Sequence, residues 1–413
     1  MKTDLPRIGD RVTIPVANST HTEGGMHGLP RRVLLQGLCC TTAAAALTAC
    51  GPSPSDARPI PPRGRLLRPS TPCTRTSLAT APGEAVHRVP FPMTTLGITW
   101  TGPQRGLQVR MFGKKGNPGT WQPVNAGCQC GKDRFETGSN PAVATHRALV
   151  AANDGYGYQI DRALGMNVIN AIAIDSRSVP PLAKERAGCH PWTESSLPRT
   201  RPGDPRPTSI NFITRKQWGA DESKRFAANG SEKAPPLHFP AQALTVHHTV
   251  TVNNDPDPAA TVRAIYEQHA TANDWGDIGY HFLIDQAGGI YEGRFPGSGV
   301  ERAHHTRDRL VTGFHTAGFN SGNIGIALLG DFTEIPPTTA MRRSLTRLLA
   351  SLAKAHRLDV QSPVAYRNPA SGTAKRVPAV AGHRDWIATD CPGTTTYMNL
   401  GPIRSELTRL LTA

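Results

Sequence analysis

Ala243-Leu-Thr-Val-His247-His248-Thr249, then Asp257-Pro258, then Val262, Ile265, Tyr266 and His269: this stretch decides the fold class. Residues 243–249 are apolar and β-branched enough for a strand. Asp257 offers a helix N-cap and Pro258 a first-turn proline. The next four residues recur at i, i+3, i+4 and i+7, which is one apolar stripe of a helix. Downstream, Tyr280 to Ile284 and Ile290 to Glu292 flank Asp285-Gln-Ala-Gly-Gly289, a hairpin signal. Ile324-Gly-Ile326-Ala-Leu328 reads as a strand. Met341, Leu345, Leu348, Leu349 and Leu352 read as a longer amphipathic helix, and Pro402 to Leu411 as a last short one. Strands alternating with helices predict an α/β domain over 208–413, a mixed sheet covered by helices.

Upstream the pattern changes. Residues 179–207 are rich in proline and arginine and read as a linker. Residues 85–178 hold short alternating runs such as Leu107-Gln-Val109-Arg-Met111, separated by Gly, Pro, Asn and Asp. They predict a small all-β module, sandwich-like, with a spacing or wall-binding role. Residues 50–84 form a Pro/Arg-rich tether. Residues 1–49 read as an export signal. Arg31-Arg32 precedes an apolar run of about 17 residues, too short for a membrane span, which ends Leu47-Thr-Ala-Cys50-Gly51. The run resembles a lipobox with Cys50 as the lipidated residue, and the paired arginines resemble a twin-arginine signal, with Met26 as a possible initiator. The chain is therefore expected to be exported, held on the outer face of the cell membrane through a lipid anchor, or secreted.

Cations exceed acids by 46 − 31 = 15. That balance fits nucleic acid, anionic lipid or an acidic polymer. No aromatic–basic interleaving appears, so no nucleic-acid partner is expected. Signal and stem account for part of the excess. Cys73, Cys128, Cys130 and Cys189 make an even set in an exported chain and suggest two disulfides of unreadable connectivity.

Cys391 is left over. On a strand, His247 and His248 point to opposite faces, so only one can reach a given site. Gly382-His383-Arg384-Asp385 is followed by Cys391-Pro392-Gly393. One strand histidine, one loop histidine and one loop cysteine would make three ligands and leave a fourth position for water, the layout of a catalytic zinc site. The alternatives for Cys391 are a buried apolar thiol or a disulfide partner.

Eight segments carry a resemblance: Ile213 to Ala220, Val246 to Thr249, Trp275 to Ile284, Ile290 to Arg294, Gly313 to Asn320, Ile324 to Ile326, Gly330 to Phe332, and Gly382 to Gly393. In this order they resemble the peptidoglycan recognition protein and zinc-dependent N-acetylmuramoyl-L-alanine amidase family. Residues 85–178 also resemble the β-rich module preceding this domain in some secreted actinobacterial members. The resemblance implies that His247, His383 and Cys391 hold Zn²⁺ and that Tyr280 supports the reaction. It implies that Thr389, where relatives carry Lys or Thr, helps bind the substrate oxygen, and that His315, Asn320 and Thr249 contact substrate. The implied partner is peptidoglycan and its muropeptides. The implied reaction is hydrolysis of the amide between N-acetylmuramic acid and L-alanine. Gly297 to Thr312 looks longer than usual for the family, which leaves the diamino-acid preference open. His248 is expected to face away from zinc, Glu292 to pair with Arg294, and Trp218 to pack in the core.

Two other readings compete. One is a wall-recognition lipoprotein that binds without cutting; retention of Cys391 and Tyr280 speaks against it. The other is a thiol hydrolase with Cys391 as nucleophile and His383 as base, which needs an accessible thiol.

Overall fold

Strand β8 (Ala243–His248) is buried along its whole length in the C-terminal domain. It is flanked by two parallel neighbours, β12 (Asn323–Leu328) and β15 (Val380–Gly382). β9 (Phe282–Ile284) adds to β12 in parallel, and β10 (Ile290–Glu292) closes a hairpin onto β9. The sheet order is β10-β9-β12-β8-β15. Parallel strands covered on both faces need no polar alternation, which explains why Ile324 to Leu328 of β12 read as a continuous apolar run. The computed structural model describes residues 74–127, 130–131, 145–177, 210–297 and 309–412.

One sheet face carries Leu244, Val246, Ile324, Ile326 and Leu328. It packs on Leu345, Leu348, Leu349 and Leu352 of a long helix (Thr339–His356) and on Leu400, Ile403 and Leu407 of the last helix (Thr394–Thr412). Burying each such leucine is worth about 1.5–3 kcal/mol. The last helix is longer than the sequence pattern indicates, because Pro402 is accommodated inside it on an exposed turn. There, water can satisfy the carbonyl that proline cannot bond. The opposite face carries Leu283 and Ala327 under Val262, Ile265 and Tyr266. These belong to the helix Pro258–Glu267, capped by Asp257 Oδ1 accepting from Ala260 N at 3.0 Å. That helix runs on into a wider π-type turn, Gln268–Ala272.

The N-terminal strands are β1 (Arg75–Thr80), β2 (His87–Thr101), β3 (Leu107–Phe112), β4 (Gln122–Pro123), β5 (Thr145–Arg162) and β6 (Asn167–Asp175). They form one six-stranded antiparallel sheet, β1-β6-β2-β5-β3-β4, instead of the two sheets of a sandwich. Register shifts near Met93 and Thr99 mark bulges in the long strand β2. Bulges bend a sheet, so a single sheet can enclose Leu96, Ile98, Trp100, Val109 and Ile160 as its own core. β1 lies within the stretch read as tether, because its pairing partner β6 is about 100 residues away and invisible to local pattern.

Leu66–Ala413 forms one unit, so the β module is packed on the C-terminal domain. Gln268 Nε2 donates to Ala148 O at 2.9 Å, Arg263 Nε to Ser176 O at 2.7 Å, and Asn170 Nδ2 to Ala272 O at 2.9 Å. Ile172 and Ile174 pack on Ala264. No helix among the described residues is long and apolar enough to cross a membrane.

Candidate metal centre

The pleat of β8 sends Val246 into the helix-covered core and His247 to the other face. His383 follows β15 directly, in a 3-10 turn. Arg384 N donates to Cys391 O at 3.0 Å and so closes the loop that carries His383 at one end and Cys391 at the other. Asp385 braces this loop by accepting from Gly382 N at 2.8 Å and from Tyr397 Oη at 2.6 Å. The outcome is a cluster of His247, His383 and Cys391 whose ligand atoms lie within 4.8 Å of one another, all buried.

The hydrogen-bond chain assigns the tautomers. His315 Nε2 lies 2.9 Å from the carbonyl of Asn323 and must donate to it. His315 Nδ1 is then an acceptor, and His247 Nε2, 3.0 Å away, donates to it. That leaves His247 Nδ1 as the ring nitrogen facing Cys391 Sγ, at 3.7 Å. A histidine whose far nitrogen is held by a second polar group is oriented for metal binding. His315 itself packs against Gly325 of β12, where any Cβ would stand 2.4 Å from the imidazole Cγ.

Burial lowers the basicity of all these imidazoles: His247 falls well below its usual range, His383 to about 3 and His315 to about 4. They are neutral at physiological pH, the form that ligates. Burial also pushes the Cys391 thiol up to about 12. A thiol so desolvated does not ionise without a cation beside it. The donor set therefore fits zinc, which enforces the thiolate, and does not fit an accessible cysteine nucleophile.

Tyr280 precedes β9 and is fixed by Arg294 N donating to its carbonyl at 2.7 Å. Its ring lies 5.4 Å from that of His247, and burial raises its hydroxyl pKa well above normal. Thr389 is half-buried and accepts from Cys391 N at 3.3 Å. Thr249 Oγ1 accepts from Gly330 N at 3.1 Å and lies 2.8 Å from Thr251 Oγ1, so it braces the end of β8. His315 is fully buried behind His247. Asn320 is fully buried, its Oδ1 accepting from Thr316 N at 2.8 Å. His248 faces the opposite way and accepts from Phe332 N at 3.2 Å through Nδ1. Trp218 is a core residue donating to Glu292 O, and Arg294 lies over the Phe314 ring beside Asp277.

Cys130 is disulfide-bonded; its partner, with Cys50, Cys73, Cys128 and Cys189, lies outside the described residues, as does 298–308. Cys391 is free. Three further residues at the site carry no motif. His269, in the π-type turn, lies 5.6 Å ring to ring from Tyr280; its place on the helix stripe was the only signal. Arg147 and Cys130 reach the site from the β module, from far away in the chain; Cys130 was marked only as a disulfide candidate, and nothing local marks Arg147.

The profile of the N-acetylmuramoyl-L-alanine amidase family matches residues 238–394. A peptidoglycan recognition protein from Bombyx mori is 33% identical over 194 residues, 45% of this chain and 78% of that protein. The chain belongs to the peptidoglycan recognition protein and amidase family. Human N-acetylmuramoyl-L-alanine amidase is 31% identical over 169 residues, 39% of this chain. The chain spans under half the length of the human relatives it matches, 24% in that case. Among solved structures, Drosophila PGRP-LB aligns at 26% identity over 46% of this chain and 92% of its own, with a TM-score of 0.34. Within the family domain, all three candidate ligands fall inside the matched segment.

Proposed function

We propose that the chain is a zinc-dependent N-acetylmuramoyl-L-alanine amidase that hydrolyses the amide between N-acetylmuramic acid and L-alanine of peptidoglycan stem peptides. The buried His247–His383–Cys391 cluster, with Tyr280 against it, carries this reading. Zinc bound there supplies a Lewis acid and lowers the pKa of water toward ~7. The protein residues do the rest. His315 and the Asn323 carbonyl hold His247 in the ligating tautomer. The Tyr280 hydroxyl, kept protonated, donates to the oxyanion that develops on the lactyl carbonyl. Thr389, whose oxygen already accepts from Cys391 N, retains a hydroxyl hydrogen for the substrate oxygen. Water adds across the bond: its oxygen goes to the carbonyl carbon, the C–N bond breaks, and its proton goes to the alanine nitrogen.

The test is digestion of purified muropeptides with and without chelator, read by mass. Expected is a new L-alanine amino terminus, lost with chelator and restored by zinc. Cleavage retained in metal-free His383→Ala protein would sink the reading. Binding without cleavage would point to a recognition protein. We propose as well that the chain is exported and anchored through lipidated Cys50. Cys50→Ala should then move the protein from the membrane fraction to the supernatant.

A further inference from the structure

Contacts from the β module run across Tyr280, Asn320 and Thr249, the residues assigned above to the reaction and to substrate. Gly131 N donates to Phe314 O at 2.9 Å, and Gly131 O accepts from Asn320 Nδ2 at 2.8 Å. The Gly131 peptide is thus held at both polar ends, as the backbone of a bound peptide would be. Tyr280 Oη lies 3.2 Å from Cys130 Sγ. That sulfur is in a disulfide and has no proton, so the tyrosine hydroxyl points its own hydrogen at it. Gly127 N donates to Arg147 O, and a Cβ on Gly127 would stand 3.2 Å from the carbonyls of both Arg147 and Thr249. Arg147 fastens the crossing: its guanidinium donates to Cys130 O and lies 4.9 Å from the centre of the Trp275 ring. In this arrangement Tyr280 and Asn320 are spent on the protein itself. His247 and His383 are fully buried, and Tyr280 is 2% exposed.

The geometry points to self-inhibition: Gly127, Cys130 and Gly131 occupy the substrate groove as a pseudo-peptide, and the β module must release them before peptidoglycan reaches the metal centre. This rests on the amidase reading for the identity of the groove. The β module is then a regulatory element of the same site. A ligand that binds only the open form has its apparent affinity reduced by the open fraction. Loosening the crossing should restore that affinity, and each hydrogen bond removed should shift opening by roughly two- to tenfold.

Two full-length variants test this separately. A Cβ at Gly127 would press on the carbonyls of Arg147 and Thr249 at 3.2 Å, so Gly127→Val wedges the crossing off the groove. Arg147→Ala removes its fastening. Binding of a fluorescent muropeptide to zinc-stripped protein, and hydrolysis by zinc-loaded protein, are measured for each variant and for the unchanged chain. Expected is roughly tenfold tighter binding with faster hydrolysis at equal zinc content. Tighter binding with no hydrolysis by any of the three would uphold the occlusion and remove the amidase reading. Unchanged or weaker binding by folded variants overturns the occlusion, because the crossing would then be a wall of the groove. Hydrogen exchange on the unchanged chain decides independently of variant folding. Added muropeptide should speed exchange at the Gly131 amide; equal or greater protection there overturns the proposal.

Discussion

Gly325 and His315 show how little room the metal centre leaves for change. The imidazole of His315 lies where a Cβ on residue 325 would be, and the same imidazole holds His247 by its Nε2. Gly325→Ala is expected to push His315 aside and release His247 from its tautomer. His315→Ala is expected to lower zinc affinity by about 10–100-fold, the usual cost of losing a partner behind a ligand. Competition against a colorimetric chelator measures both, and affinity equal to that of the unchanged chain would refute the orienting role. At this scale the sequence was informative where a motif exists. His247, His383 and Cys391 were legible because spacing and resemblance agreed. The resemblance implied substrate contact for His315; its observed place behind His247 depends on β12 packing, which no local pattern encodes.

Two ion-pair groups hold their elements in place by different physics. Arg215 Nη1 and Asp277 Oδ1 lie 2.9 Å apart, with side chains 8% and 3% exposed. Asp277 also accepts from Phe295 N at 2.7 Å and Ile278 N at 2.8 Å. Asp277→Ala would leave the guanidinium buried with only half-exposed Glu222 opposite it, and should destabilise by about 3–5 kcal/mol in urea unfolding. In the β module, Asp175 joins β6 to β1 through Arg75 and bonds Arg177 Nε at 2.9 Å. Burial alone would raise the Asp175 carboxyl, but hydrogen bonds from Arg177 and Arg75 outweigh it and hold it below the carboxylate range. A lowered acid stabilises fully above its unfolded pKa of about 4 and loses that contribution as pH falls through the folded value. The melting temperature should therefore drop below about pH 4, and Asp175→Asn should flatten that drop; an identical acid profile in the variant would refute it. The strand β1 bearing Arg75 was read as tether because Arg75–Thr80 gains its meaning only from β6, while the helix at 258 announced itself through its own cap and proline.

Over the whole molecule, the six-stranded module and the five-stranded domain share buried polar contacts, a coupling that composition and linkers conceal. The excess of 15 cations includes a net 6 from residues 1–75, leaving 15 − 6 = 9 on the rest of the chain. Sedimentation with purified cell walls should weaken as salt rises, because exposed charges are screened beyond ~10 Å at 0.1 M; salt-independent binding would argue against an electrostatic share. One arrangement reaches further. His247 and Cys391 are 144 residues apart, joined through the parallel pairing of β8 with β15. During synthesis the first ligand emerges long before its partners, and non-local parallel pairing forms late. On the zinc reading proposed above, the centre would be completed late in synthesis: the ligand set closes only once Cys391 has been made and β15 has paired with β8.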